Sequence, residues 1–465
     1  MLAWLVLAAL AGGAVAPARA AATAAAPVDT VRATHWGPLP ARTDSTSAVF
    51  REQPRPAWET AVLVPYWVVG IPFRIVYGIG DFTIKKMDAW GLFGRPGDYP
   101  GLKGPFGTYI MPSLSINDLE GTALGVDVRR PDFLGAGNML FLRADRSTRR
   151  AGAYAGGALF HLGDTWQLET GGGFESVNQA KYYGVGPYSS DADLSYYYRS
   201  TSWGGFDLNR DVGASARLGV RTYYSRVNVR EPSYNTGESV GNVHAGDLPF
   251  GYPGQSSGWT LRLGLDRDNA EQTGRPRYGG YQSGGLSLFQ ATDSSEVSYL
   301  LWHGNIEKFI RLWHTDRTLA VRVFGNRISS LGEGAIPFSR LVTFQRPDEL
   351  RGFTSLRFYG LGSVGVSVEY RWPVWVARGR DDLGVDAYLF SDSGQVFNHT
   401  AEISLDNWEF TGGVGLRLVD AGRHLAARFE LGLSDEDLVV RLKFSQTFQY
   451  NPRGFLHGKN PTKIR

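Results

Sequence analysis

The sequence has no cysteine and little methionine, and neither sign of charge predominates. Its 465 residues include 4 Met, 48 Lys and Arg, and 45 Asp and Glu, which gives a net charge of +3. The absence of Cys excludes disulfide scaffolds, thiolate nucleophiles, zinc–cysteine sites and iron–sulfur clusters. The balanced charge argues against a nucleic-acid-binding protein, which normally carries a clustered basic excess.

Long apolar runs are also missing, except at the N-terminus. Residues 1–22 combine an apolar core with the pattern Ala-Arg-Ala at 18–20, which is typical of a secretory signal peptide. The alternative is a transmembrane anchor, but the apolar stretch is shorter than the roughly 20 residues that a spanning helix needs. The next most apolar stretch, 61–73, is interrupted by proline and glycine. We therefore expect an exported chain without membrane-spanning helices.

The sequence is rich in glycine, in aromatic residues and in segments of alternating polarity. In 259–268, for example, Trp259, Leu261, Leu263 and Leu265 alternate with polar residues and glycine. A period of two over ten residues predicts a β-strand. Sixteen such runs are found, at approximately 106–117, 121–130, 137–147, 150–162, 165–177, 194–207, 213–228, 257–268, 280–291, 294–308, 316–327, 361–373, 383–397, 408–419, 424–433 and 437–448.

The length of these runs distinguishes a soluble β-sandwich from a membrane barrel. Sandwich strands usually have about 5–6 residues, whereas a tilted crossing of a bilayer requires about 9–11. The runs here have about 10–13 residues, and the longest connections, 178–193, 229–256 and 328–360, all follow odd-numbered runs. We therefore predict an all-β fold over 105–448, a 16-stranded transmembrane antiparallel β-barrel with a short N-terminal periplasmic extension.

Sequence motifs of enzymes and cofactor sites are not supported by their context. Residues 360–365 match G-x-G-x-x-G, but a strand pattern follows at once, where a dinucleotide site needs a helix. The eight His show no metal-ligand spacing, and no nucleophile elbow is present. We expect no enzymatic activity, no metal, no cofactor, no small-molecule substrate and no nucleic-acid partner.

The 328–360 connection contains an arginine that two inward-facing carboxylates would attract. Strand parity places Glu369 and Asp392 on the lumen face of neighbouring strands, with Phe390 and Gly394 on the same face. Two carboxylates this close would repel each other unless a cation joined them. Arg351, on a loop that folds back into the lumen, would supply the cation through charge-assisted hydrogen bonds. The alternative is a solvated Arg351 above a polar pore.

Four segments resemble those of a known family. Leu350-Arg351-Gly352-Phe353 resembles a signature in which an aliphatic residue is followed by Arg, Gly and then Phe or Tyr. This signature belongs to the sixth extracellular loop of the BamA/TamA-like superfamily, also called the bacterial surface antigen family. Residues 388–396 are similar to its F-x-D-x-G strand, 368–373 to its E-Y-R-x-P strand, and 413–417 to its G-x-G-x-R element. The order and spacing of the four segments also agree with that family.

The resemblance implies a 16-stranded barrel in the outer membrane of a Gram-negative bacterium. It implies that Arg351 pairs with Asp392 and Glu369 and so holds the loop in the lumen. Family members assemble outer-membrane proteins or translocate polypeptides by opening the seam between the first and last strands. The expected partners are the lipid bilayer and unfolded outer-membrane protein clients. Pro112 and Gly107 weaken strand pairing and favour a labile seam. The alternative is a structural or channel-forming barrel without insertase activity.

The regions outside the barrel depart from that family. Residues 23–104 contain nine Pro, a density that does not suit the family's POTRA domains. We expect a Pro-rich linker at 23–60 and an amphipathic segment at 61–92. This segment would lie on the periplasmic surface, or alternatively plug the lumen, and we prefer the first. Residues 449–465 form a basic C-terminal tail, for which a solvated periplasmic tail is the simplest interpretation.

Overall fold

The computed structural model describes residues 102–443, except 234–236, 272–274, 313–316, 345–348, 378–379 and 421–425. The predicted signal peptide, most of the Pro-rich segment 23–104 and the basic tail lie outside the described residues. No helix in the described part of the chain has the length and hydropathy to cross a membrane.

Sixteen long strands, each antiparallel to the next, dominate the described structure. Their bounds are β1 Tyr109–Asn117, β2 Gly121–Pro131, β3 Met139–Ser147, β4 Gly152–Leu162, β5 Trp166–Tyr182, β6 Ser195–Val212, β7 Ala216–Arg230, β8 Gly254–Asp268, β9 Gly279–Ala291, β10 Ser298–Arg311, β11 Thr318–Ser330, β12 Gly362–Ala377, β13 Arg380–Phe397, β14 Glu409–Asp420, β15 Ala426–Leu433 and β16 Leu438–Lys443. The one α-helix among the described residues is short, Val240–Val243.

The sheet closes on itself where β16 meets β1, with Leu442 opposite Ile116. The predicted fold class, a 16-stranded antiparallel β-barrel, is therefore confirmed. Each predicted run corresponds to one observed strand. Among the largest differences are those in β5, which continues to Tyr182 instead of ending at 177, and in β6, which continues to Val212 instead of ending at 207. The last residues of β5 pair with β6 after a register shift between Val177 and Ala180, and their side chains pack against the loops. The alternation of apolar and polar residues therefore underestimates the length of a strand that extends beyond its lipid-facing part.

The prediction for the start of the first strand is wrong by a few residues. Gly107 was expected within a strand at 106–117, but it ends a short 3-10 turn, Pro105–Gly107, that precedes β1. Its φ of +71° lies in the left-handed region, which glycine tolerates and a pairing strand does not use. Pro112, in contrast, lies inside β1, where it is opposite Val126 of β2.

The two faces of the sheet differ as the alternation predicts. On β8, Trp259, Leu261, Leu263 and Leu265 are between 44% and 53% exposed on the outer face, whereas Thr260 faces the lumen and is buried. Exposed apolar side chains in alternate positions are typical of a lipid-facing barrel surface. The outer face of the barrel is therefore the apolar one.

The largest buried cluster lies at one end of the barrel, which we call the loop end. The β11–β12 loop, residues 331–361, enters the lumen there and forms a small hairpin in which Val342–Thr343 pairs with Tyr359–Gly360. Aromatic side chains of this loop pack against the extended ends of β5 and β6, as in the contact of Phe338 with Tyr182 and Tyr197. The loop thus fills part of the lumen.

We predict that a charge on the outer face destabilises the barrel in lipid. Leu263 lies near the middle of the lipid-facing run of β8, so Leu263→Arg places a guanidinium in the hydrocarbon layer. The expected loss of unfolding free energy is about 2–4 kcal/mol. Urea unfolding in liposomes measures it, with Leu263→Phe as the control that keeps the position apolar. Equal stability of the two variants would show that this face does not contact lipid.

Candidate functional site

The residues of the predicted site converge on a tight turn of the β11–β12 loop. We call residues 350–353 the lumen turn. The Phe353 N–H donates to the Leu350 carbonyl oxygen over 3.0 Å, which closes the turn. Leu350 has a φ of +44°, an uncommon value for a branched residue, so the surrounding contacts must hold it in place.

The Arg351 side chain is the polar centre of the lumen turn. Its Nε and Nη2 donate to the two oxygens of Asp392 over 2.8 and 2.7 Å, and its backbone N–H donates to the same carboxylate over 3.0 Å. Its Nη1 donates to Glu369 and, over 3.3 Å, to Glu430. The residue is 1% exposed. Strands β12, β13 and β15 each supply one of these three carboxylates.

Strand register explains why the carboxylates meet at one guanidinium. Glu369 lies opposite Phe390, and Ser367 lies opposite Asp392, so the two acids are one inward-facing row apart on adjacent strands. The Phe390 ring lies under the guanidinium, with the Arg351 Cζ 3.7 Å from its centroid. Arg371 adds a second cation, whose Nε donates to Glu369 over 2.7 Å. The buried acids are therefore compensated by charge-assisted bonds.

Two glycines allow the lumen turn to touch the barrel wall. A Cβ on Gly352 would lie 2.5 Å from the Leu433 carbonyl oxygen, and one on Gly432 would lie 2.4 Å from the Arg351 carbonyl oxygen. Both clashes are with backbone, which cannot move aside as a flexible side chain can. The backbones of the lumen turn and of β15 are therefore in direct contact, and this contact requires glycine on both sides.

The apolar residues of the lumen turn fill a pocket in the lumen. Leu350 and Phe353 belong to a buried cluster that contains residues of β11, β13 and the loop itself, namely Phe324, Phe344, Phe358 and Val396. Gly394 contributes by its lack of a side chain, since a Cβ there would lie 3.2 Å from the Phe344 ring. The eight residues singled out from the sequence thus share one site, where Leu350, Phe353 and Gly394 shape the packing and Arg351 makes the ionic contacts.

Two contacts of the lumen turn were not identified from the sequence. Glu430 binds Arg351, and it also accepts a hydrogen bond from the Tyr388 hydroxyl over 2.8 Å. Arg441 of β16 donates to the carbonyl oxygens of Arg351 and Phe353 over 3.0 and 2.7 Å. Parity places both on the lumen face, but parity does not show which lumen residue a loop will reach. The missed contacts join the lumen turn to the last two strands.

The described residues contain no group of three His, Asp or Glu side chains that could hold a metal ion. The site holds an ionic network around a loop and presents no arrangement of nucleophile, base and oxyanion donors. Its chemistry is that of a buried ion-pair network, which fixes one loop conformation against several strands.

Comparisons with known proteins agree with this architecture. Residues 107–445 match the model of the Omp85 superfamily domain. BamA from Haemophilus ducreyi, in a form lacking POTRA domains 1–3, has a similar structure, with a TM-score of 0.54 and 15% identity over 77% of this chain and 76% of that chain. CdiB from Escherichia coli gives a TM-score of 0.50 and 11% identity over 75% of this chain and 66% of that chain.

No curated protein sequence matches the chain. At this level of identity the two structures show a shared fold only. The family match covers nearly all of the barrel, from the turn before β1 to the described end of β16 and slightly beyond. The chain belongs to the Omp85 superfamily.

Proposed function

We propose that this barrel lies in the outer membrane of a Gram-negative bacterium and inserts or assembles outer-membrane proteins there. It would do so through a lateral opening between β1 and β16. The observation that carries the proposal is the β11–β12 loop, whose residues contact both sides of the seam. Among the described residues, Leu442 of β16 lies opposite Ile116 of β1 at this seam. An edge with unpaired N–H and C=O groups can accept an incoming strand.

The loop end of the seam is held by side chains instead of a strand ladder. On the β1 side, the carboxylate of Asp118 accepts hydrogen bonds from the Ser355 N–H over 2.6 Å and from the Ser355 hydroxyl over 2.9 Å. Asp118 directly follows β1, and Ser355 follows the lumen turn in the β11–β12 loop. The loop is therefore attached to the first strand.

The same loop is attached to the turn before β16. Arg357 Nη2 donates to Glu436 over 2.7 Å, and Arg357 also donates to Ser189. The Ser434 hydroxyl donates to the Gly352 carbonyl oxygen over 3.0 Å. We call the four residues Asp118, Ser355, Arg357 and Glu436 the seam clasp. The clasp joins the two ends of the sheet through the loop, so separating β1 from β16 requires breaking contacts on one side of it.

The lumen turn and the two loop residues of the seam clasp, Ser355 and Arg357, belong to one continuous segment. Only Thr354 lies between Phe353 and Ser355, and the Tyr183 hydroxyl is 3.0 Å from the Thr354 hydroxyl. Movement of Arg351 out of its carboxylate site would shift the residues that hold Asp118 and Glu436. This connection supports a role for the lumen turn in controlling the seam.

We predict that a covalent link across the seam abolishes client insertion. Ile116 and Leu442 are opposite each other, and the chain has no other Cys, so Ile116→Cys with Leu442→Cys allows one disulfide. Insertion of an unfolded outer-membrane protein into liposomes should stop under oxidation and resume on reduction. Ile116→Cys with Thr122→Cys links β1 to β2 instead and should remain active. Activity of the oxidised seam variant would refute a lateral opening.

We predict that Arg351→Ala leaves the barrel inserted in the membrane but impairs its activity. Removing the guanidinium leaves three buried carboxylates without their shared cation, at a cost of about 3–5 kcal/mol. Arg351→Lys keeps the charge but loses the paired geometry and should be intermediate. The client-insertion assay measures activity, and a gel shift on heating measures folding. If Arg351→Ala inserted clients as fast as the wild type, the role assigned to the lumen turn would be wrong.

A channel-forming or structural barrel is the alternative function. A loop that fills part of the lumen should give small and unsteady currents, whereas an open pore should give large and stable steps. Single-channel recording of the wild type and of Arg351→Ala distinguishes the two. Large stable steps from the wild type, together with no client insertion, would favour the channel.

We predict that the Asp118 contact of the clasp is insensitive to mild acid. Burial acts to raise the pKa of Asp118, but Arg441, Lys181 and the Ser355 hydrogen bonds together hold it below its usual value of 3.8. The stabilisation by this carboxylate is therefore complete above pH 3.8 and is lost as the pH falls through the lower, folded-state pKa. The difference in the urea midpoint of unfolding between wild type and Asp118→Asn should be the same at neutral pH and in mild acid. It should vanish in strong acid. A difference that already declines near neutral pH would contradict this assignment.

A further inference from the structure

A short hairpin precedes the first strand of the barrel. Leu102 lies opposite Ile110 and Lys103 lies opposite Tyr109, in antiparallel orientation. The Gly104 N–H donates to the Thr108 carbonyl oxygen over 2.8 Å, and the Thr108 N–H donates to the Pro105 carbonyl oxygen over 3.2 Å. We call residues 102–108 the edge hairpin.

The edge hairpin occupies the side of β1 that faces the seam. A strand in a sheet has two edges, and β2 takes one of them along all of β1, with Tyr109 opposite Arg129 and Ile110 opposite Val128. The other edge carries Leu442 of β16 at Ile116. Leu102 and Lys103 must therefore lie on this second edge, at the end of β1 remote from the seam clasp.

We propose that the edge hairpin covers a strand-binding site at the start of β1, and that an extended segment of an unfolded outer-membrane protein displaces it. This inference rests on the proposed function, because it needs a seam that accepts strands. Any strand that pairs with the seam edge at Tyr109 and Ile110 must use the same backbone groups that Leu102 and Lys103 now use. Binding of such a strand and pairing of the hairpin are thus mutually exclusive.

The hairpin has the properties of a replaceable occupant. Its described part, which begins at Leu102, pairs with β1 at two positions next to a tight turn. Isolated two-stranded hairpins are marginally stable in water. The turn also contains Phe106 with a φ of +57°, an unfavourable backbone conformation for a residue with a side chain. The strained turn therefore favours its release.

The chemistry of the hairpin also indicates the partner. Leu102 is 49% exposed and Phe106 is 85% exposed, so the segment presents apolar side chains at the strand edge. An incoming strand that alternates apolar and polar residues would place an apolar side chain where Leu102 lies. Such alternation is the sequence signature of outer-membrane barrel strands. The matching occupant is a membrane strand of a client protein.

A disulfide that holds the hairpin on β1 tests this inference in the full chain. Leu102→Cys and Ile110→Cys are directly opposite, within the Cα separation that disulfides allow. Ile110→Cys with Val128→Cys is the matched control, because it places a disulfide at the same residue of β1 but on the β2 side. We expect oxidation to stop insertion of an unfolded outer-membrane barrel into liposomes for the first pair only, with recovery on reduction.

A second variant releases the hairpin without touching the β1–β2 ladder. Gly104→Pro removes the N–H that donates to Thr108, and the φ of −102° at this position does not suit proline. We expect faster client insertion and faster alkylation of a single Cys placed at Leu102. Gly104→Ala keeps the N–H and serves as control, since its methyl group would meet the ends of two side chains, the Thr108 hydroxyl at 2.6 Å and Ile110 Cδ1 at 3.2 Å, and no backbone atom within that distance.

The outcomes separate this inference from the proposed function. If oxidised Leu102→Cys/Ile110→Cys inserts clients as fast as its control, the hairpin is a permanent part of the barrel and the inference is wrong. The seam disulfide at Ile116 and Leu442 then decides the proposed function independently, because it closes the other end of the same edge. If the seam disulfide and the hairpin disulfide both leave insertion unchanged, the lateral opening and the hairpin cap are both wrong.

Discussion

One buried guanidinium joins the β11–β12 loop to three strands of the barrel. Arg351 is shared by Asp392, Glu369 and Glu430, which come from three strands. Three carboxylates at this distance would repel one another in a site away from water, and the cation makes their arrangement favourable. The ion-pair network does not have to contribute much net stability to be decisive, because it selects one loop position among those that the lumen allows.

The remaining contacts of the loop follow from that position. With Arg351 in place, the backbone of Gly352 contacts the backbone of β15. The carbonyl oxygens of Arg351 and Phe353 accept hydrogen bonds from Arg441. The chain then continues directly to Ser355 and Arg357, which bind the two sides of the seam. A loop anchored in the lumen therefore contacts the residues that flank the seam on both sides. This arrangement gives the ionic site a mechanical connection to the seam.

The sequence predicts the parts of this structure that depend on periodicity. Alternation identified all sixteen strands, and parity placed Glu369 and Asp392 on the lumen face, because a β-strand has only two faces. The sequence pattern could not predict Glu430 or Arg441 as partners of the loop, because contacts across the lumen depend on the curvature of the barrel and on the path of the loop. The hairpin at Leu102 was missed for another reason: two paired residues are too few to show a period.

The seam edge of β1 is held by different kinds of contact at its two ends. At the loop end, the side chains of the seam clasp link β1 to the turn before β16, and their hydrogen bonds need the loop in its lumen position. At the other end, a local hairpin pairs with Tyr109 and Ile110 through backbone groups and needs no contact with β16. These two sets of contacts share no residue, so each can open without the other. In the proposed mechanism, a strand entering from the hairpin end would therefore begin to pair while the clasp still links the two sides of the seam.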